Sequence, residues 1–152
     1  MITAWRICKE KRAVTAFDGR GAAENPGRWN SAAVAIAYAA ESRSLAAVEV
    51  LVHTEDTSLL AGIRWAAVPV SFGESLIQVP KRVPDDWRQV PAPASTRAFG
   101  DAWVAEGRSV VMRVPSVVTP GEFNYLINPR HPDFNQLKIG SPEPFSFDLR
   151  LC

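Results

Sequence analysis

The amino-acid sequence predicts an α+β fold in which strands outnumber helices, and three observations carry that expectation. At 152 residues the chain has the length of one domain, able to bury roughly 68–70% of its unfolded surface without a metal or disulfide. Short apolar, β-branched runs recur along it, and only two segments place apolar residues at helical spacing. Twelve prolines and nine glycines are spread through the chain rather than gathered in a linker, and nothing repeats, so the elements belong to one continuous unit, residues 1–152.

Ile2 to Cys8 reads as a first strand. Gly19-Arg-Gly-Ala-Ala-Glu-Asn-Pro-Gly27 reads as a loop, because its glycines and proline are unsuited to a regular element. Val34 to Ala39 resumes as a strand, with Val34, Ile36 and Tyr38 on one face and small alanines on the other. Ser42 or Ser44 then caps a helix to about His53, since Leu45, Val48 and Val52 share one side. Ile63 to Phe72 and Leu76 to Val79 are β-rich, and the polar, Pro-rich Val83-Pro-Asp-Asp-Trp87 connects them to a second helix at Thr96 to Glu106. Ser109 to Val114 is a β-branched strand stopped by Pro115, and Phe123 to Ile127 and Phe145 to Leu151 read as two more.

Composition narrows the function. Hydrophobic residues make up 47% and charged residues 22%, values that exclude disorder and coiled coil. A net charge of +1 supplies no field to collect nucleic acid or an anionic membrane. The longest apolar run, Ala32 to Ala40, is far short of the ~20 residues that cross a bilayer, and Met1 to Arg12 lacks a signal-peptide core, so a cytoplasmic location is expected. Cys8 and Cys152 offer neither a disulfide framework nor a four-ligand metal site, and both are expected as free thiols.

The chemistry-bearing positions are few. Glu49 is the one acidic residue of the apolar helix Ser44 to His53, where its carboxylate either joins a solvent stripe with Ser42 and His53 or points into a pocket. Arg28-Trp29-Asn30 ends the Gly- and Pro-rich loop, where a guanidinium either offers a planar fork to an anion or covers Trp29 with its stem. Tyr38 is either core or a ring laid against a flat heterocycle. Ser116, after Pro115, either bonds a turn or reaches a substrate hydroxyl. No nucleophile-elbow sequence surrounds Ser116, and Gly19-Arg-Gly lacks the third glycine of a dinucleotide fingerprint.

In order, these words are specific together: Gly19-Arg-Gly-Ala22, Gly27-Arg-Trp-Asn30, Tyr38-Ala39, Leu45-Ala46 with Val48-Glu49 and Leu51-Val-His53, and Asp86-Trp87. Gly100-Asp101 with Trp103, Pro115-Ser116, Pro120-Gly-Glu-Phe-Asn124, Leu126-Ile-Asn-Pro-Arg-His-Pro-Asp133 and Phe147-Asp-Leu-Arg-Leu151 follow. This pattern resembles the RES domain, a family named after an Arg, a Glu and a Ser, with Pro26 where a second glycine is common and Val48 for the more usual Leu. The resemblance implies a fold similar to ADP-ribosyltransferase toxins, a split, curved β core with flanking helices. It also implies the toxin of a toxin–antitoxin pair that degrades NAD+ as substrate, needs no cofactor, and is restrained by an Xre-type helical antitoxin, with an oligomeric complex unsurprising.

Carried over by position, Arg28, Tyr38, Glu49 and Ser116 become the catalytic set. Gly27, Trp29, Asn30, His53 and Asn128 become substrate-binding positions, and no residue is assigned to a metal. His53, one helical turn past Glu49, either orients that carboxylate or caps the helix end. Two other outcomes stay open: transfer of ADP-ribose to a protein, and a non-catalytic partner-binding domain presenting Trp65, Trp87 and Trp103.

Overall fold

The computed structural model describes residues 1–152, arranged around one mixed sheet. Its strands are β1 (Ile2–Lys9), β2 (Ala37–Ala40), β3 (Trp65–Phe72), β4 (Ile77–Gln78), β5 (Val111–Pro115), β6 (Phe123–Ile127), β7 (Lys138–Ile139) and β8 (Glu143–Phe145). The helices are α1 (Arg20–Glu24), α2 (Arg43–Val52) and α3 (Ala94–Glu106), so the α+β expectation holds with strands in the majority. The strand order is β4-β5-β6-β2-β1-β3-β7, with β8 also against β3. β4 and β5 run parallel and every other pair is antiparallel.

The sheet is split. β1 pairs with β3 along its whole length, from Ile2↔Phe72 to Lys9↔Trp65, and β2 pairs with β6 through all four of its residues. Between β1 and β2 the ladder has a single register pair, Trp5↔Ala40. Beyond it the strands part, and the Arg6 guanidinium crosses the gap to donate to the Tyr38 carbonyl at 3.1 Å.

Alternation along the strands divides the core. One face carries a continuous cluster that includes Ala4, Val68, Phe72, Val111, Tyr125 and Ile127. The other face carries two clusters. Leu45 and Ala46 of α2 pack with Ile7, Ala40, Ala67 and Trp65, while Trp103 of α3 and Trp29 pack with Ile36, Met112, Val114 and Leu126. Tyr38 and Asn124 lie on this second face, because β2–β6 pairing sets Tyr38 opposite Leu126 and Ala40 opposite Asn124. The ground between the two clusters is therefore where a cleft can open.

Local chemistry accounts for the departures from the expected elements. The Gly19–Gly27 loop contains α1, because Gly19 takes a left-handed φ of 76° and the Asp18 carboxylate accepts from the Arg20 N–H at 2.9 Å, starting a turn that Asn25-Pro26 ends. The second strand starts at Ala37 rather than Val34, since Asn30 Nδ2 takes the Val34 carbonyl at 3.1 Å and removes it from any ladder. The expected strand at Phe145–Leu151 is correct only at its start. Asp148 accepts from the Arg150 N–H at 2.9 Å and turns residues 149–151 into a 3-10 helix.

α2 has the expected N-cap, Ser42, accepting from the Leu45 N–H at 3.0 Å, but of the expected apolar side only Leu45 is buried: Ala46 and Ala47 turn to the sheet with it while Val48 and Val52 are exposed. α3 is ended by Gly107 in the left-handed region, φ 63°. Its Gly100 packs against the Trp29 main chain, Phe99 meets Trp29 edge-on at 5.8 Å, and Asp101 accepts from the Ser31 N–H at 2.9 Å. α3 thereby fixes the segment Gly27–Ser31, and Gly27 itself leaves room for the Tyr38 ring, which lies 2.9 Å from where a Cβ would stand.

Candidate active site

Glu49 faces inward from α2. Leu45, one turn earlier, is buried, Val48 and Val52 are exposed, and the Glu49 side chain between these two regimes is 26% exposed. Its Oε1 accepts from Asn124 Nδ2 at 2.9 Å and from Ser116 Oγ at 3.4 Å. Glu49 is therefore not on a free solvent stripe but half-buried and bonded to the sheet. Ser116 meets both of its own alternatives: its oxygen accepts from the Thr119 N–H at 3.1 Å, building the turn, while its hydrogen is left for Glu49. At 1% exposure it stands behind the carboxylate.

Tyr38 is held by its hydroxyl, which donates to Asn30 Oδ1 at 2.7 Å and accepts from the Trp29 N–H at 3.1 Å. Desolvation pushes its phenol well above the ordinary tyrosine range, an effect larger than the opposing Trp29 hydrogen bond and the nearby Arg6 and Arg28 charges. The neutral phenol is thus the folded form. Because the unfolded phenol loses its proton near about pH 10 while the folded one keeps it, stability falls as pH rises past that point. Urea titrations between pH 9 and 11 are expected to show this loss, with a smaller slope in Tyr38→Phe. At pH 7 the same substitution leaves Trp29 N–H without its acceptor and costs about 1–3 kcal/mol.

The Arg28 guanidinium is tied to the Pro-rich connection: Nη1 donates to the carbonyls of Trp87 at 3.0 Å and Gln89 at 2.6 Å. Burial lowers its pKa from the ordinary arginine value, opposed by the Glu49 carboxylate and by Tyr38, so these three groups share one electrostatic neighbourhood. Gly27, Arg28, Tyr38, Glu49 and Ser116 are brought together around the second sheet face. Others are not brought to an open surface. Trp29 is core, and Asn30 is fully buried with Oδ1 accepting from Gly27 N–H and the Tyr38 hydroxyl while Nδ2 donates to Ala22, Ser31 and Val34 carbonyls. Asn128, buried at the far end of β6, accepts from the Arg130 N–H. His53 is 74% exposed, and its Nδ1 bonds the Glu49 main-chain carbonyl at 2.7 Å while standing 4.0 Å from Oε2, which makes it the helix cap.

Two participants escaped the sequence reading. Asn124 touches Glu49, and only strand register reveals that it points to the same face as Tyr38. Arg6 lies in the split, its Nε buried without an acceptor. It lines a hollow of about 270 Å³ together with Cys8, Arg12, Asp18, Arg20 and Ala37. None of these three arginines has a carboxylate within salt-bridge distance.

A split α+β sheet gathers a carboxylate, a phenol and a guanidinium on one face, and comparison with known proteins gives the chain a family. Residues 3–148 match the RES domain, and the chain belongs to that family. It is 37% identical over 149 residues to a Toxin Res of Yersinia enterocolitica, covering 97% of both chains. It is also 36% identical over 152 residues to a Prs ADP-ribosylating toxin of a Sphingobium species, covering 97% of this chain and 94% of that one. Among solved structures, the M. tuberculosis MbcT-MbcA toxin–antitoxin complex contains a chain that superposes with a TM-score of 0.77 at 18% identity, covering 95% of this chain and 84% of that one.

Proposed function

We propose that the protein is an NAD+ glycohydrolase acting as the toxin of a toxin–antitoxin pair. The observation that carries the reading is the Glu49 carboxylate, partly buried and held by two neutral donors on the face that also presents Tyr38 and Arg28. In the reaction the bond between the nicotinamide nitrogen and ribose C1′ breaks, and its electron pair leaves with the nicotinamide. Positive charge develops on the ribose, water adds its oxygen to C1′, and the water's proton passes to solvent. The products are nicotinamide and ADP-ribose.

A leaving group that departs neutral needs little proton transfer, so the protein's task is electrostatic. A fixed carboxylate beside the ribose stabilises the developing cation more than the ground state, which is what acceleration requires. Tyr38, its hydroxyl engaged by Asn30 and Trp29, offers its ring to the nicotinamide. Arg28 commits Nη1 to the Trp87 and Gln89 carbonyls and keeps its other donors for a ribose or phosphate oxygen. The hollow in the split, with Arg6, Arg12 and Arg20 on its wall, suits the diphosphate.

Cys8 reports on that hollow, because it is one of its lining residues and the only thiol besides Cys152. In Cys152→Ser protein, maleimide labelling of Cys8 is expected to slow when ADP-ribose is added. Unchanged labelling under saturating ADP-ribose would remove the diphosphate from the hollow.

The name of the Sphingobium relative supports a second reading, in which ADP-ribose passes to a protein side chain instead of water. Purified protein given labelled NAD+ and a cell extract separates the two. Free labelled ADP-ribose supports hydrolysis, label retained on a macromolecule supports transfer, and no nicotinamide release at all would overturn both. The toxin–antitoxin complex formed by a protein of the same fold supports an antitoxin as the partner; the family resemblance alone adds that it is helical and Xre-type and that the place of action is the cytoplasm, where NAD+ is abundant.

A further inference from the structure

We infer that Asn124 is the positioning residue for the Glu49 carboxylate, an inference that rests on the NAD+-cleaving reading of the site. The two residues are 75 positions apart and meet through a 2.9 Å hydrogen bond from Asn124 Nδ2 to Glu49 Oε1. Asn124 is well placed to be the fixed partner. Its backbone lies in β6, in register with Ala40 of β2 on one side and Val114 of β5 on the other, so ladders hold it from both edges. Glu49 extends from a helix on a flexible side chain, and without a partner it would sample several rotamers in a partly open cleft.

The chemistry of the donor matters as much as its position. Both groups that bond the carboxylate, the Asn124 amide and the Ser116 hydroxyl, are uncharged, and both converge on Oε1. Oε2 accepts no hydrogen bond within the protein, and His53 Nδ1 stands 4.0 Å from it. A lysine or arginine in place of Asn124 would orient the carboxylate equally well but cancel its charge. An amide orients it and leaves the negative charge free to act on a developing ribose cation, with Oε2 as the acting oxygen.

The test uses the full chain and reads kcat, NAD+ affinity, melting temperature and growth arrest in parallel. Asn124→Ala removes the donor and is expected to lower kcat about 10- to 100-fold while NAD+ affinity stays within about twofold, since a misplaced catalytic group costs rate more than binding. Asn124→Asp keeps the shape and replaces the donor with a like charge, so its kcat at pH 8 is expected to fall below that of Asn124→Ala. Its ratio to wild-type kcat then rises as pH is lowered toward 5, because the introduced carboxyl becomes a donor once protonated. Arg28, His53 and Ser116 face Glu49 in both proteins, so the wild-type pH profile is the baseline against which the recovery is read. A merely structural role would give no such recovery.

Undiminished kcat in Asn124→Ala would overturn the inference, as would parallel loss of affinity and melting temperature without recovery at low pH. Wild-type protein that cleaves no NAD+ would overturn the functional reading instead. The same variants are then scored on growth arrest, where arrest that needs Glu49 but survives Asn124→Ala refutes the positioning role.

Discussion

Glu49→Gln is expected to lower nicotinamide release about 10²- to 10³-fold, the usual cost of removing one preorganised electrostatic group. The amide keeps the size of the side chain and can still meet Asn124 and Ser116 through its oxygen, so folding and NAD+ affinity are expected to change little. The loss then falls on kcat, the signature of a contact made mainly in the transition state. The decisive comparison is NAD content in cells after induction of wild type and of Glu49→Gln. Equal depletion by both proteins would remove Glu49 from the chemistry.

Gly100→Ala is expected to be the most damaging single methyl group in the molecule. A Cβ at this position would stand 1.7 Å from the Trp29 carbonyl oxygen and 2.7 Å from its carbon, backbone atoms that no side-chain rotation can move aside. Either α3 is pushed off the sheet, loosening Trp103 from its cluster, or the Gly27–Ser31 segment shifts and takes Arg28 and the Tyr38 anchor with it. A cost of about 3 kcal/mol, at the upper end for overpacking, is expected in a urea titration, together with reduced nicotinamide release from any protein that still folds. Gly62→Ala is the control, because no atom lies within 4 Å of its Cβ position.

Much of the fold was legible because the sequence states it locally. α2 announces itself through Ser42, though the side its apolar spacing marked is buried only at Leu45, and α3 ends at a glycine. β6 was found in full at Phe123–Ile127, a run bounded by glycine and proline. What local pattern could not show was decided by distant partners. Val34 to Ile36 alternates like a strand, yet its carbonyl at Val34 belongs to Asn30. α1 defied its own glycines because Asp18 could start it.

The site divides the same way. Glu49 stood out as an acid in an apolar helix, and the family pattern singled out Arg28, Tyr38 and Ser116. Asn124 lay in a family word, Pro120-Gly-Glu-Phe-Asn124, that gave it no role, and Arg6 carried no signal at all: an asparagine and an arginine in strands are ordinary until pairing register and the parting of β1 from β2 show what they face. Asn30 and Trp29, adjacent in sequence to Arg28, shape the site from inside the core.

The single Trp5↔Ala40 pair also has a mechanical consequence. With eight-residue pairing outboard on β1 and full pairing outboard on β2, each half of the sheet is stiff, and flexure concentrates at their one seam. Amide protons along that seam are expected to exchange with solvent faster than those of the β1–β3 ladder. Whatever grips the two halves together would narrow the slot that Arg6 spans, and so govern entry of a ligand to the hollow it lines.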